Sequence, residues 1–248
     1  AKIATGSADM TAGPALTPAQ LDAALETGAA LARELFDRGV DCLVLGEIGI
    51  GNTTTTAALA CALTGISPQD AVGRGTGVDA AGLERKRATV IAALERHRVP
   101  SACSDGSDAG ALSARADDGS ASGTSPLSPR EALCRVGGLE LAALAGAIGA
   151  AVTLRLPVLL DGYAVSTAAL AAVALDPAAG EVLIASHRSA EPGHAIVLAE
   201  LGLEPLLDLR LRLGEASGAL LALPLIEAAG ALHEGMGTFA ESGVARPR

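Results

Sequence analysis

Four short apolar runs limit what this chain can fold into. Residues 41–46 (DCLVLG), 157–160 (PVLL), 181–185 (EVLIA) and a stretch near 205–209 are each followed at once by a polar segment and then by a helix-forming one. Strands that alternate with helices pair in parallel through helical crossovers, right-handed ones in nearly all proteins, and a parallel sheet needs cover on both faces. The predicted fold class is therefore α/β, a three-layer, mainly parallel Rossmann-like sheet with helices on both faces. With 248 residues, half of them hydrophobic, the chain is long enough to bury such a core as a single domain spanning 1–248.

Helix signals fill the intervals. Thr17-Pro18-Ala19-Gln20 is a capping box with proline at the first helical position, which predicts a helix to about Arg38 that stops near Gly39. A helix is predicted after the GIGN turn, and Asp79 caps another that reaches about Arg98. From Pro129 one long alanine-rich helix leads to the 157–160 strand. Later helices begin near Val165, near Pro192 and at about 216, the last reaching 233. Residues 101–129 lose all apolar period and are dominated by Ser, Gly, Asp and Pro, which predicts a mobile surface insert within the domain.

Composition excludes several functions. The formal charge of −10, the lack of any Lys/Arg cluster and an aromatic content of one Tyr, two Phe and no Trp predict no nucleic-acid partner. The longest uncharged apolar stretch, 141–154, is shorter than the ~20 residues that span a bilayer, so no membrane partner is predicted. The opening residues predict no signal peptide. Cys42, Cys61, Cys103 and Cys134 form no C-x-x-C pair and read as small hydrophobes in a reducing compartment, so the expected location is the cytoplasm.

In open α/β sheets, ligands bind beyond the carboxyl ends of the strands, where this sequence concentrates its polar residues. In LGEIGIGNTTTTAAL (45–59), Gly49 and Gly51 allow close backbone approach to an anion, and the helix starting near Asn52 directs its free N–H groups and positive dipole end at it. The loop lacks the lysine of a Walker sequence and the last glycine of the dinucleotide fingerprint. A mononucleotide phosphate fits it better than a triphosphate, and a plain strand–helix turn capped by Asn52 or Thr53 is the alternative. Glu47 is an odd neighbour for a phosphate dianion. Glu215 precedes an apolar helix, where an acidic residue is ordinarily a dipole partner. Asp161 before Gly162 suits a turn or a helix cap. His187 and His194 flank Glu191-Pro192-Gly193 without metal-ligand spacing, so loop hydrogen bonding is favoured over zinc. Neither a metal nor a cofactor is predicted.

The blocks GEIGIGNTTTTAAL, VGGLELAALAGA, PVLLDGYAVSTAAL, SHRSAEPGH and PLLDLRLRLGEASGALLALPLIEAA, with GRGTG at 73–77 and Lys86 beyond it, occur in an order that resembles the nicotinate-nucleotide–dimethylbenzimidazole phosphoribosyltransferase family of cobalamin synthesis. The likeness runs from about Ala1 to about Val244, interrupted by 101–129. It implies transfer of the 5-phosphoribosyl group of nicotinate mononucleotide to 5,6-dimethylbenzimidazole, giving α-ribazole 5′-phosphate and nicotinate, with both compounds as substrates and a homodimer as the assembly. It further implies Glu215 as the general base and Glu47 as a supporting catalytic carboxylate. Gly49, Gly51, Asn52, Thr53, Gly75, Lys86, Gly162 and Ser189 are implied around the phosphate, and Ile48 and Leu213 along the wall of the acceptor pocket. The family is longer at its N-terminus, so the N-terminal portion of the acceptor enclosure is expected to be absent from this sequence. A different acceptor base or a phenol, or a non-catalytic nucleotide-binding subunit, would leave the glycine loop unchanged.

Overall fold

The computed structural model describes residues 1–98, 127–238 and 241–243. Helix α1 (Pro18–Asp37) starts at the predicted capping box: Gln20 N–H donates to Thr17 Oγ1 at 3.2 Å, and Thr17 N–H donates to Gln20 Oε1 at 2.9 Å. Gly39, at φ 84°, turns the chain just past the helix end, where the sequence predicts the stop. Strand β1 (Leu43–Leu45) leads through a loop to α2 (Asn52–Thr64). The short α3 (Pro68–Ala71) follows, and then α4 (Ala80–Arg96), whose N-cap Asp79 accepts from Gly82 N–H at 2.7 Å.

Downstream, the structure corrects several expectations. Residues 101–126 of the predicted insert lie outside the described residues, but Ser128 and Pro129 do not belong to it. Ser128 caps α5 (Pro129–Val136), accepting from Glu131 N–H at 3.3 Å and donating its own N–H to Glu131 Oε2 at 3.0 Å. The single alanine-rich helix is in fact two, α5 and α6 (Leu139–Leu154), because Gly137 and Gly138 take extended backbone between them. Each glycine inside a helix would cost roughly 1 kcal/mol relative to alanine, and a pair favours a break.

Strand β2 (Val158–Leu160) is followed by α7 (Tyr163–Leu175), two residues before the predicted start. A 3-10 turn (Pro177–Val182) takes up the head of the 181–185 run and leaves β3 as Leu183–Ala185. Strand β4 (His187–Ser189), α8 (Pro192–Glu200), β5 (Leu207–Leu211) and α9 (Ser217–Gly235) complete the order. The last strand sits two residues beyond its predicted place. Pro205 has no N–H to give a ladder, and pairing starts as Leu206 N–H donates to Ala185 O at 3.0 Å.

The strands are parallel, as predicted, but they form two ladders. In one, β1, β2 and β3 pair in that order, with Leu43 opposite Val158 and Val158 opposite Leu183. In the other, β4 pairs with β5 and carries an irregularity between His187 and Ser189. Alternation along β2 divides the core. Val158 and Leu160 pack with Ala29 and Ala32 of α1, Ala145 and Ile148 of α6 and Val165 and Ala169 of α7, whereas Leu159 faces Ala219 and Ala222 of α9. Helices therefore cover both faces. A further apolar cluster joins α2, α4, α5 and α7 away from the strands.

Helices α1 and α6 meet through glycines. A Cβ on Gly28 would overlap the Ala143 carbonyl oxygen, and one on Gly146 would overlap that of Leu25, whereas Gly149 has nothing within 4 Å of its Cβ position. Gly28→Ala is expected to lower stability by about 1–3 kcal/mol through overpacking. Gly149→Ala in the same pair of helices is expected to raise it by about 0.5–1 kcal/mol. Urea midpoints of the two variants check both signs.

Candidate active site

The site begins where the loop after β1 meets the turn before α9. A Cβ on Gly46 would overlap Ala216, so the two segments touch at backbone distance. Glu215 N–H donates to the Glu47 carbonyl oxygen at 3.3 Å. The turn is left-handed at three successive residues, Gly214 (φ 81°), Glu215 (φ 59°) and Ala216 (φ 63°). Non-glycine residues held there cost roughly 1–3 kcal/mol each, and such strain persists only where the surroundings over-determine the backbone. Both sequence-predicted carboxylates are thereby brought onto adjoining segments. Glu215 is exposed and Glu47 is half-buried.

Glu47 turns back toward the start of α2. Its Oε2 accepts from Asn52 Nδ2, and Asn52 Oδ1 in turn accepts from Thr53 N–H at 2.8 Å. Oε1 is buried with no partner among the described residues, and a Cβ on Gly49 would sit 2.7 Å from it. Gly49 is thus small because the Glu47 carboxylate lies against it. Gly51, at φ 82°, is the N-cap of α2 and offers no side chain to the first N–H groups. Gly162 and Glu191 likewise start α7 and α8 without a side-chain cap. Helix starts of this kind suit an anion through free donors and the dipole.

From α2 the contacts continue. Lys86 of α4 donates from Nζ to Thr53 Oγ1 at 3.0 Å and to Gly73 O at 2.8 Å. A Cβ on Gly75 would lie 3.3 Å from Thr53 Oγ1 and 3.6 Å from Lys86 Nζ. Gly75 N–H donates to Glu191 Oε1 at 2.8 Å, and Glu191 N–H reaches Ser189 Oγ at 3.4 Å. A Cβ on Gly162 would lie 3.6 Å from Ser189 Cβ. The predicted residues therefore form one chain of contacts: Glu215, Glu47 with Gly49, Asn52, Thr53, Lys86 with Gly75, then Ser189 and Gly162 through Glu191. Ile48 and Leu213 are 73% and 64% exposed, one beside Glu47 and the other two residues before Glu215, and they do not form an enclosed wall among the described residues.

Burial shapes the charges here. It lowers the Lys86 pKa, with Glu191 opposing, and raises that of Glu191 against the pull of Lys86, the Gly75 N–H and Arg212. Two residues escaped the sequence reading. Glu191 stood out only as part of a turn, although it lies two residues past the end of β4 and is the N-cap residue of α8. Glu140, in the first turn of α6, has its pKa raised by burial and, less strongly, by the like charge of Glu47, which places it near the site. Its only signal was its place in the VGGLELAALAGA block.

Asp161 and the histidines build the frame. Asp161 Oδ1 accepts from Gly218 and Ala219 N–H at 2.9 and 3.1 Å, so it caps α9 from the end of β2. His187 Nδ1 lies 3.0 Å from Ser186 Oγ and 3.8 Å from Asp161 Oδ1. His194 Nδ1 accepts from Ser189 N–H at 2.9 Å, which leaves Nε2 to donate to Ser166 Oγ, also at 2.9 Å. These are the loop hydrogen bonds favoured from the sequence. No group of three or more His, Cys, Asp or Glu among the described residues is arranged to hold a metal ion.

An α/β fold with uncapped helix starts gathered at the strand ends places the site in the anion-binding class. Comparison with known proteins narrows it. The family model described as phosphoribosyltransferase (DBI_PRT) matches residues 1–244, and the chain belongs to that family. The nicotinate-nucleotide–dimethylbenzimidazole phosphoribosyltransferase of Bradyrhizobium diazoefficiens is 46% identical over 239 residues, covering 96% of this chain and 61% of that protein. The Mycobacterium avium protein of the same name is 47% identical over 248 residues, covering 99% and 63%. A crystal structure of CobT from Thermus thermophilus superposes with a TM-score of 0.83 at 41% identity, covering 99% of this chain and 66% of that one. The chain thus spans somewhat over three-fifths of the length of the curated relatives it matches.

His194 yields a pH prediction. Burial, with the charges of His187 and Arg188 adding to it, pulls its pKa down to about 3, below the ordinary value near 6.5. The unfolded chain then binds the proton first. Stability present above about pH 6.5 is lost as pH falls toward 3, by up to about 1.4 kcal/mol per pH unit. His194→Gln removes this contribution, so urea midpoints at pH 7 and pH 5 should differ less in the variant than in the parent.

Proposed function

We propose that the protein transfers the 5-phosphoribosyl group of nicotinate mononucleotide to 5,6-dimethylbenzimidazole. The observation that carries this is the Glu215 N–H bond to Glu47 O, which sets two carboxylates beside an uncapped glycine loop; the names of the relatives supply the substrates. Gly49, Gly51, Asn52, Thr53, Gly75, Lys86, Gly162 and Ser189 surround the phosphate, with Lys86 as the cation that the loop lacks. The leaving group departs from a positively charged pyridine nitrogen, so no pyrophosphate has to be neutralised.

One acceptor nitrogen attacks the anomeric carbon while the other sheds a proton. Glu215, at the exposed turn, takes that proton. Glu47 supports the positive charge that develops on the ribose and the exchanging bases. Ile48 and Leu213 offer apolar surface to the acceptor ring. We assign the protein to the cytoplasm, where Cys42, Cys61 and Cys134, unpaired among the described residues, would stay reduced. A homodimer is supported by the exposed Leu220, Leu221, Leu225 and Leu232 of α9, and sedimentation velocity should return twice the protomer mass.

Nicotinate release from the mononucleotide should require dimethylbenzimidazole and fall about 10²–10⁴-fold in Glu215→Gln. Full turnover in that variant would remove Glu215 from the role of base. Glu47→Gln should lower turnover and leave mononucleotide affinity nearly intact, and a loss of affinity alone would count against its role. Acceptor competition assays identify the preferred base, and exclusive use of a phenol would overturn the substrate.

A further inference from the structure

Glu191 does more than open α8. Its Oε1 accepts the Gly75 N–H at 2.8 Å, across 116 residues of chain. Its other oxygen, Oε2, is buried without a hydrogen-bond partner among the described residues and lies against Gly73, where a Cβ would overlap it. Lys86 Nζ holds the same short segment from the other side by donating to Gly73 O at 2.8 Å, and also reaches Thr53 Oγ1 at 3.0 Å. The 73–75 loop is thus gripped at both ends, its carbonyl by the ammonium and its amide by the carboxylate. Gly75, at φ 57°, is set against Thr53 and Lys86 by that grip.

We infer that Glu191 is a positioning residue of the phosphate site, tying the 73–75 loop and Lys86 into register with the start of α2. This rests on the function proposed above. Glu191 itself does not touch the phosphate: a carboxylate there would repel it, and its bonded oxygen is already committed to Gly75. Its work is done by reach, since only a side chain of this length spans from the α8 cap to the Gly75 amide. Burial raises the Glu191 pKa and lowers that of Lys86, so the two groups sit in a poorly solvated pocket where their attraction is weakly screened.

Three variants in the intact protein separate reach from charge: Glu191→Gln keeps the length and loses the charge, Glu191→Asp keeps the charge and loses the length, and Glu191→Ala loses both. Calorimetry with nicotinate mononucleotide, and separately with inorganic phosphate, measures binding without any need for turnover. Glu191→Asp and Glu191→Ala should weaken mononucleotide binding by about tenfold or more, the scale of one lost charge-assisted hydrogen bond. Glu191→Gln should stay within about threefold of the parent. KM for the mononucleotide should rise in Glu191→Asp while KM for the acceptor base holds. Parental affinity in both Glu191→Asp and Glu191→Ala overturns the inference. So does weak binding in Glu191→Gln with normal binding in Glu191→Asp, which would make the charge the active element. Failure of the parent protein itself to bind the mononucleotide would instead overturn the proposed function. If Glu191→Ala does not fold, the Gln and Asp variants still decide.

Discussion

The contact between residues 46–47 and residues 215–216 is the constraint on which the site depends. Gly46 has no side chain because Ala216 occupies that space, and the Glu47 carbonyl receives the Glu215 amide. The seam joins the end of the first strand to the start of the last helix, far apart in sequence. It forces Glu215 and Ala216 into left-handed backbone that neither residue prefers. Asp161 at the end of β2 secures the helix side of the seam by capping α9. With the turn fixed, Glu215 is exposed and the Glu47 carboxylate is held against Asn52 and Gly49.

The odd carboxylate of the glycine loop has a physical explanation in this arrangement. Glu47 is held by the side chain that opens the next helix. It bonds the Asn52 side chain and lies against Gly49, so it shapes the loop. Thr53 N–H is taken by Asn52 Oδ1, so an anion at the start of α2 would meet the remaining amides and the helix dipole, while the like charge of Glu47 acts on Glu140 nearby.

Local signals carried much of the fold. The capping box at Thr17 and the Asp79 cap mark helix starts by hydrogen bonds between near neighbours, which the sequence states outright. Parallel pairing follows from alternation of strands and helices. The misses were also local, but each needed a competing rule. Gly137-Gly138 split a helix that its alanines favour and Pro205 delayed β5, while the helix predicted from Pro129 starts there, capped by Ser128 from the end of the irregular stretch. The division into two ladders was not legible, because apolar runs do not say where a sheet breaks.

The sequence by itself determined the inventory: the glycine loop, its following helix, Lys86, the two glutamates and the strand ends on which they stand. Tertiary structure decided which of them meet. Glu191 entered the site only because α8 carries it to the Gly75 amide, and the histidines became braces only because packing buries them beside Ser166 and Ser186, which lowers the pKa of both. Ile48 and Leu213 kept their place beside the glutamates without forming an enclosed pocket among the described residues. The physical reason is the same throughout. Residue type and spacing fix short-range hydrogen bonds and helix ends, whereas burial and contact across a hundred residues or more exist only after the chain has packed.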